Sequence, residues 1–480
     1  MLPVPLPYSR QLMLDRMQAA DPAYDGRFVT GVLSTGIYCL PSCRARKPLP
    51  RNVEFFESMA AAREAGLRSC LRCRPDEFGS GTDSAEETLR RLQATDPATV
   101  GSASALATHL GLSRKVLADL LGRELNLTPA RWLSRQRIRQ AQALLLGGDD
   151  SVTQIAFAAG FGSLSAFNAG FRRHVFMTPL AFRELRDAQA FTLLLPAGYP
   201  AAAVLADLGR DPHGTTCRVS DHTCTAALRI GEQPVLATVQ FRGHAADIIL
   251  SRPADPQTIH DALLRLLGLT TPTQGFAALT RTRPELARLT RGREGLGLPL
   301  SATLFDGVVW AVIGQQIGFR TTCALRRRLY ERVGEALPGG LYAPLTPAQV
   351  TALSPDELTA TGLTRQRART LHDLACRVAA GDLNLEALAQ GPLTTRHRAL
   401  LAVPGLGPWS AGYVLLRAYG AADILLAADS ALATALQRLY ALPERPTPQE
   451  VAALMQPFAP YRSLATLHLW HSLHAPPETP

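Results

Sequence analysis

Four cysteines near the start of the chain constrain its fold more than any other feature. Cys39 and Cys43 form a C-x3-C pair, and Cys70 and Cys73 form a C-x2-C pair after a long loop. Two close pairs separated by a loop can place four thiolates around one tetrahedral zinc ion. Two disulfides, or four unrelated cysteines, are the alternatives. Clustered cysteines in a cytosolic protein favour metal binding or catalysis, so the spacing predicts a small zinc-binding domain.

The residues around the cysteines extend this pattern over about 75 residues. Segments 35–46 (TGIYCLPSCRAR), 52–56 (NVEFF) and 65–75 (AGLRSCLRCRP) resemble the N-terminal domain of the Ada family of adaptive-response proteins. The resemblance implies that Cys39 accepts a methyl group from a methylphosphotriester in DNA, once per protein molecule, and that all four cysteines bind Zn2+. Zinc keeps a thiolate deprotonated while leaving it nucleophilic.

The resemblance also implies an electrostatic switch. Methylation makes the zinc site less negative, so its affinity for the DNA polyanion rises. Two positions depart from the family pattern: Leu40 replaces the usual arginine and Ser69 the usual proline. The loss of a charge beside Cys39 weakens the expected phosphate contact and leaves the zinc ligands intact.

A second pattern, in the region 86–186, is helical and occurs twice. Segment 106–114 (LATHLGLSR) and segment 155–163 (IAFAAGFGS) each carry a small residue four positions before a glycine, as Ala107 and Ala156 show. A small residue there lets two helices joined by a tight turn approach closely. One such unit is typical of any helical hairpin. Two units, joined by a predicted long helix over 130–146, resemble the DNA-binding domain of AraC-type regulators.

That resemblance implies two recognition helices, which begin near Ser113 and Ser163 and lie in the major groove. It also implies double-stranded DNA as partner and RNA polymerase as a further partner at regulated promoters. The residues expected to face bases or phosphates are Arg114, Lys115, Ser165, Asn168 and Arg172.

The pattern changes at both ends of this helical region. The Gly/Ser/Asp stretch at 79–84 predicts a linker before it. After about residue 190, segments 223–230, 235–241 and 248–250 predict strands separated by Gly, Pro and Asp turns. From about 272 onward the sequence is helical again.

Segment 400–413 (LLAVPGLGPWSAGY) predicts a tight hairpin between two helices. Gly405 and Gly407 expose backbone N–H groups at the start of the second helix, which is a ready anion site and would grip a DNA phosphate. A monovalent cation at the hairpin is a further expectation. Asp429 follows 22 residues after Gly407. Such an acid after an apolar run can also serve only as a helix cap.

Hairpin and aspartate together resemble the helix-hairpin-helix glycosylase superfamily, and segments 311–316 (AVIGQQ), 362–368 (GLTRQRA) and 460–470 (PYRSLATLHLW) resemble its 3-methyladenine glycosylase II branch. The resemblance covers about residues 190–475. It implies that Asp429 is the catalytic carboxylate and that Trp409, Tyr413 and Trp470 form an aromatic pocket, although each aromatic alone is equally consistent with core packing. Gln316 stands where relatives carry the leucine that fills the vacated base stack, and Gln315 and Ile317 are the other candidates for this wedge.

Three absences narrow the range of reactions that the chain can catalyse. Only Lys47 and Lys115 occur in the chain, so the glycosylase half has no lysine to form a Schiff base with an abasic sugar. No cysteine follows Cys376, which excludes the iron–sulfur cluster of the endonuclease branch. The Pro-Cys-His-Arg motif of the second Ada methyltransferase is also missing. We expect Cys217, Cys224, Cys323 and Cys376 to be buried apolar residues.

Composition fits this picture. The net charge of +10, almost wholly arginine, favours a polyanionic partner. No signal peptide and no apolar run of membrane-spanning length is evident, so we expect a cytoplasmic protein without a membrane partner. The predicted fold class is multidomain and mainly α with α+β parts: a zinc domain at 1–80, an all-α tandem helix-turn-helix domain at 84–187, a strand-rich domain at 190–271 and a helix-hairpin-helix glycosylase domain at 272–476.

The functional prediction is repair of alkylation damage by a monofunctional DNA-3-methyladenine glycosylase II, which hydrolyses the N-glycosidic bond of bases such as 3-methyladenine and 7-methylguanine. The fused sensor and helix-turn-helix module add methyl transfer and transcription regulation. Two alternatives are an alkylation-responsive regulator in which repair is secondary, and a glycosylase whose sensor half only binds DNA.

Overall fold

The computed structural model of the chain describes residues 8–21, 24–25, 27–73 and 75–473, with the backbone alone at 77–84 and 284–285. The chain forms two compact units, Met1–Thr95 and Asp96–Pro480. The architecture is multidomain and mainly helical, with a small sheet in the first unit and a larger antiparallel sheet in the second. In the part of the chain that is described, no helix is both long and apolar enough to span a bilayer.

The first unit is a four-stranded sheet of order β3-β1-β2-β4 with helices around it. Strand β1 pairs antiparallel with β2 and β3, whereas β2 and β4 run parallel, with Tyr38 opposite Ser69. Each of these two residues precedes a cysteine, so the parallel pairing brings Cys39 and Cys70 side by side. The elements are α1 Arg10–Gln18, β1 Val29–Val32, β2 Ile37–Cys39, β3 Val53–Phe56, α2 Met59–Glu64, β4 Arg68–Ser69 and α3 Pro75–Gln93.

The predicted linker at 79–84 is wrong, because these residues lie within α3, Pro75–Gln93. The sequence that follows, 85–93 (AEETLRRLQ), is dense in residues that favour helix. Once a helix has nucleated, each further residue adds little cost, so the helix extends through a short run of weak helix formers.

The second unit begins with the tandem helix-turn-helix fold. The predicted long helix is confirmed as α6, and both recognition helices begin where predicted, because Ser113 Oγ accepts from the Val116 N–H and Ser163 Oγ from the Ala166 N–H. Its elements are α4 Ala103–His109, α5 Arg114–Leu125, α6 Pro129–Gly147, α7 Val152–Ala158, α8 Leu164–Val175 and α9 Pro179–Arg183.

A five-stranded antiparallel sheet of order β5-β9-β8-β7-β6 follows, and the three predicted strands are confirmed as β7, β8 and β9. Along β8 buried and less buried residues alternate, as expected for a sheet with one face on a core. The elements are β5 Ala190–Leu194, α10 Ala201–Leu208, β6 Cys217–Ser220, β7 Thr223–Ile230, β8 Gln233–Arg242, β9 Ala245–Leu250 and α11 Pro256–Leu266.

The remaining chain is helical apart from one two-stranded ribbon. One continuous hydrophobic core, which includes Phe167, Val239 and Leu416, joins the second helix-turn-helix pair, the sheet and these helices. The elements are α12 Gln274–Arg281, α13 Pro284–Thr290, α14 Leu304–Ile313, α15 Phe319–Val333, β10 Ala336–Leu337, β11 Leu341–Tyr342, α16 Pro347–Thr351, α17 Pro355–Ala360, α18 Arg365–Ala379, α19 Leu385–Gln390, α20 Leu393–Leu401, α21 Pro408–Arg417, α22 Ser430–Leu439, α23 Pro448–Met455 and α24 Arg462–Ser472.

Candidate functional site

The hairpin between α20 and α21 has the geometry that its sequence predicts. Gly405 has a φ of 85°, and a Cβ at this position would lie 2.1 Å from the Thr370 hydroxyl, so only glycine fits. Gly407 is exposed and precedes α21 without a side-chain cap. The first N–H groups of α21 therefore have no acceptor from a capping side chain, which leaves them available to an anion.

Asp429 stands at the start of α22, where it has two structural roles at once. It is only 7% exposed, and its Oδ1 caps the helix by accepting from the Leu432 N–H at 2.7 Å. The indole N–H of Trp470 also donates to Oδ1, at 3.1 Å, and that of Trp409 donates to Oδ2, at 2.9 Å. Three donors fix the direction of the carboxylate and stabilise its negative charge.

The three predicted pocket aromatics lie together around this carboxylate. Trp409 stacks on Tyr413 with ring centroids 5.3 Å apart, and Tyr413 lies tilted against Trp470 at 6.4 Å. Trp409 and Trp470 are half-buried, whereas Tyr413 is buried. The arrangement is an aromatic wall with an anionic group at its edge, which suits a flat, electron-poor ring.

The three wedge candidates lie in the loop after α14, and their side chains have different surroundings. Gln315 donates through Nε2 to the Gly405 carbonyl at 2.8 Å and to the Ser410 hydroxyl at 3.0 Å, so it braces the hairpin. Ile317 packs against the core. Gln316 is exposed and has a φ of 53°, a left-handed conformation rare for a residue with a side chain. Among the three, Gln316 has the free side chain.

A buried ion pair fixes the C-terminal end of α21. Arg417 at the end of α21 donates to Asp207 of α10, Nη2 to Oδ2, at 2.8 Å. Burial alone would raise the pKa of Asp207, but the charges of Arg417 and Arg210 hold this pKa below its ordinary value. The hairpin helix is thereby anchored to the sheet domain, which holds Trp409 and Tyr413 in place.

In the first unit the four N-terminal cysteines converge. Their sulfur atoms all lie within 4.8 Å of one another. Zinc bonded to four sulfurs at about 2.3 Å would hold them about 3.8 Å apart, so the cluster fits one tetrahedral zinc ion. The Leu40 N–H points to the Cys73 sulfur at 3.4 Å. Lys47 donates to the Cys43 carbonyl at 2.7 Å, which places a cation beside the cluster.

The chemistry of these thiols also favours a metal. A hydrogen bond with Cys73, together with burial, raises the pKa of Cys39, and the same bond lowers the pKa of Cys73 to about 6. Crowded thiols therefore resist ionising together, and a divalent cation is what allows all four to be thiolates. Cys39 remains 9% exposed.

The predicted DNA-facing residues of the recognition helices lie at the protein surface. Four of them are exposed and Asn168 is half-buried. The turns are tight as predicted, with a φ of 70° at Gly111 and 81° at Gly160. The exposed residues are Arg114, Lys115, Ser165 and Arg172.

The prediction that the other four cysteines are buried holds for Cys224 and Cys323 alone. Cys217 and Cys376 are half-buried. Cys217 lies on the edge strand β6, which pairs with a neighbour on one side, and Cys376 lies on the amphipathic helix α18 near His372. Both positions are margins of the core and stay partly accessible.

Sequence reasoning missed the contacts that join these parts. The indole donors to Asp429 and the brace formed by Gln315 follow from tertiary packing and have no local signal. The chain contains four tryptophans, and two of them stand in the glycosylase segments already singled out. That concentration is the one sequence feature that points toward indole nitrogens as functional groups.

Family models match three parts of the chain. Residues 13–76 match the metal binding domain of Ada, residues 106–185 match a helix-turn-helix domain, and residues 309–460 match the HhH-GPD superfamily of base excision DNA repair proteins. The fold and these sites define a base-excision glycosylase domain joined to a helix-turn-helix module and an Ada-type metal-binding domain.

Relatives share this combination. The chain is 30% identical, over 96% of both chains, to a "Probable bifunctional transcriptional activator/DNA repair enzyme AlkA" of Mycobacterium tuberculosis. It belongs to that family of bifunctional transcriptional activator and DNA repair proteins. It is also 35% identical to the Escherichia coli "Bifunctional transcriptional activator/DNA repair enzyme Ada", over 35% of this chain and 47% of that protein.

A solved structure supports the fold of the C-terminal part. The 3-methyladenine DNA glycosylase of Archaeoglobus fulgidus superimposes with a TM-score of 0.51, at 21% identity, over 59% of this chain and 98% of that one. At this identity the likeness shows a shared fold over that share of the chain.

Proposed function

We propose that this protein excises alkylated purines, 3-methyladenine and 7-methylguanine among them, from double-stranded DNA. The single observation that carries the proposal is the Asp429 carboxylate, which is held by two indole N–H donors at the edge of an aromatic pocket. A base must leave the stack to enter such a pocket, and Gln316 is the exposed side chain that fills the gap.

The reaction follows from this geometry. The bond from C1′ to the base nitrogen breaks, and its electron pair leaves with the base. Asp429 stabilises the positive charge that develops at C1′ and orients a water molecule, whose oxygen attacks C1′ while its proton passes to the carboxylate. Because an alkylated purine is cationic, it is already a good leaving group, and the faces of Trp409, Tyr413 and Trp470 attract it.

An excision assay tests this proposal. The full chain is incubated with methylated duplex DNA, and released bases are separated by chromatography. We expect 3-methyladenine to appear at a rate above that of spontaneous loss. Release no faster than in buffer would reject the proposal.

The cysteine cluster favours a second activity: single-turnover methyl transfer to Cys39. The Cys39 sulfur attacks the methyl carbon of a methylphosphotriester; an S–C bond forms, the C–O bond breaks, and the phosphodiester leaves with the electron pair. When bound, zinc supplies the positive charge that keeps the sulfur a thiolate. Cys43, Cys70 and Cys73 complete its ligand set.

Methyl-labelled phosphotriester DNA tests this step. Label should appear on the wild-type protein, at most once per molecule, and be absent from Cys39→Ser. Equal labelling of that variant would refute Cys39 as acceptor.

We further infer that the helix-turn-helix module makes the protein a transcription regulator, with RNA polymerase as partner at the promoters it binds. The exposed Arg114, Lys115, Ser165 and Arg172, with Asn168 beside them, support contact with a promoter. A monovalent cation at the hairpin carbonyls around Gly405 would strengthen phosphate binding. Loss of reporter activation on replacing Arg114 and Arg172 together would support the regulatory role, and unchanged activation would oppose it.

A further inference from the structure

One buried joint connects the first helix-turn-helix pair to the glycosylase helices. Glu124, near the end of recognition helix α5, is 5% exposed, and its Oε2 accepts from the Leu393 N–H at 3.0 Å. Leu393 is the first residue of α20, and Pro392 before it provides no side-chain cap. Glu124 thus caps, from another module, the helix that leads directly into the DNA-binding hairpin.

The charges around this joint are complementary. Arg396 on α20 is 7% exposed, and its Nε donates to the Gly391 carbonyl at 3.0 Å. Burial lowers the pKa of Arg396, while the nearby Tyr419 and Glu124 oppose that shift. The exposed Arg123 binds the other oxygen of Glu124 at 2.8 Å. Because the Glu124 carboxylate is buried and has several partners, its position is fixed.

A second contact fixes the other helix-turn-helix pair. His260 of α11 is fully buried and donates through Nε2 to the carbonyl of Val175, at the end of α8, at 2.8 Å. The next residue, Phe176, accepts from the Leu194 N–H of β5 at 2.7 Å. Both helix-turn-helix pairs therefore make direct hydrogen bonds to the glycosylase part of the chain.

Both attachments leave the DNA-facing ends free. Arg114 and Lys115, at the start of α5, are exposed, and so are Gly405 and Gly407 of the hairpin. Glu124 lies at the opposite end of α5 from Arg114. The joint therefore blocks neither the recognition end nor the anion site.

The joint also limits how far apart these two ends can be. From Arg114 to Glu124 the helix rises about 15 Å, and α20 adds about 12 Å before the four residues that reach Gly405. With the side-chain contact and those residues extended, the separation is at most about 50 Å, or about one and a half turns of duplex. A single bound duplex is long enough to meet both.

We propose that α5 and the hairpin grip one and the same duplex, so that the first helix-turn-helix pair extends the DNA-binding surface of the glycosylase. The ligand is duplex DNA, bound through its phosphates on the side of the lesion that faces α5. The position of the lesion in this inference rests on the proposed glycosylase function. The shared grip, meaning simultaneous binding of one duplex by α5 and the hairpin, concerns DNA binding alone.

The test compares two duplexes with one central 7-methylguanine, about 12 and about 36 base pairs long. Each arm of the longer duplex, about 60 Å, exceeds the maximum separation of about 50 Å between the two ends. Binding by fluorescence anisotropy and single-turnover excision are measured for the wild-type chain and for Arg114→Ala/Lys115→Ala. The matched control is Arg242→Ala/Arg252→Ala, which removes two exposed charges from the sheet domain.

We expect the Arg114/Lys115 variant to bind the long duplex about tenfold more weakly and the short duplex like the wild type. On the long duplex, the slope of log K against log salt concentration should correspond to about two fewer released counterions. The control variant should match the wild type on both. Equal weakening on both duplexes, or none on either, overturns the shared grip. Length-dependent binding without excision supports the shared grip and rejects the glycosylase function instead.

Discussion

Trp470 donates its indole N–H to Asp429 across 3.1 Å, which links the last described helix of the chain to the cap of α22. A tryptophan proposed to contact the base by its face thus also holds the carboxylate of Asp429, the proposed catalytic group, by its edge. Trp409 does the same for the other carboxylate oxygen. The proposed pocket and the proposed catalytic group are in this way one hydrogen-bonded structure, so a shift of either part would disturb the other.

Replacing Asp429 with asparagine should abolish catalysis while preserving the fold. Asparagine caps a helix as well as aspartate does, so α22 should stay intact. Loss of the negative charge removes stabilisation that matters mainly in the transition state, and we expect single-turnover excision of 3-methyladenine to fall by at least about 100- to 1,000-fold. Binding to abasic-site DNA should change little. Wild-type excision by this variant would show that another group is catalytic.

Trp470→Phe separates the two roles of this residue. Phenylalanine keeps an aromatic face and removes the N–H donor, and a hydrogen bond to a charged group contributes about 1.5–3 kcal/mol. We therefore expect the saturated single-turnover rate to fall about 10- to 100-fold, with a small change in the half-saturating enzyme concentration. Trp132→Phe in the helix-turn-helix module is the matched control. A loss confined to binding would mean that Trp470 acts through its ring face alone.

The N-terminal unit should hold about one zinc ion per chain after extensive dialysis. Cys43→Ser should reduce this content sharply, because the remaining sulfurs no longer close the tetrahedron, whereas Cys376→Ser on α18 should leave it unchanged. Metal analysis of the purified proteins provides the measurement. A wild-type chain that is folded and free of metal, or one with a Cys39–Cys43 disulfide in reducing buffer, would contradict a zinc site.

Sequence alone predicted the features that depend on local spacing. The cysteine pairs, the glycine turns and the helix caps at Ser113 and Ser163 each require a particular residue at a particular position. The linker prediction for 79–84 is wrong because strong helix formers follow that stretch and the helix extends through it. The contact between Glu124 and Leu393, 269 residues apart, has no local sequence signal. A glutamate that caps a distant helix has the same local sequence context as any other helical glutamate.

Glu124→Ala should destabilise the second unit by about 1–2 kcal/mol, because the α20 N–H loses its cap. Glu124→Gln keeps an oxygen acceptor at the same position and should cost less. Urea unfolding followed by tryptophan fluorescence measures both variants against the wild type. If alanine were as stable as glutamine here, the capping contact would have no energetic weight and α20 would be held by packing alone.

The last prediction is that base excision leaves an intact abasic site. Strand cleavage in this superfamily requires an amine that bonds to C1′ and then drives elimination. Between Phe191 and Pro480 the chain has no lysine, and arginine cannot replace it because its guanidinium stays protonated. The indole N–H of Trp409 donates to Asp429, so this nitrogen provides no amine either.

Because residues 191–480 contain no lysine, we expect water to be the nucleophile and the phosphodiester backbone to remain whole. A duplex with one alkylated base is incubated with the full chain, with and without borohydride, and resolved on gels before and after alkali. Strand breaks should appear after alkali alone, and borohydride should trap no protein–DNA adduct. Lys47→Ala and Lys115→Ala variants, together with an acetylated N-terminus, are the controls that identify the amine if an adduct forms. A trapped adduct on the wild-type chain would show that such an amine reaches the flipped nucleotide and that the enzyme is a lyase.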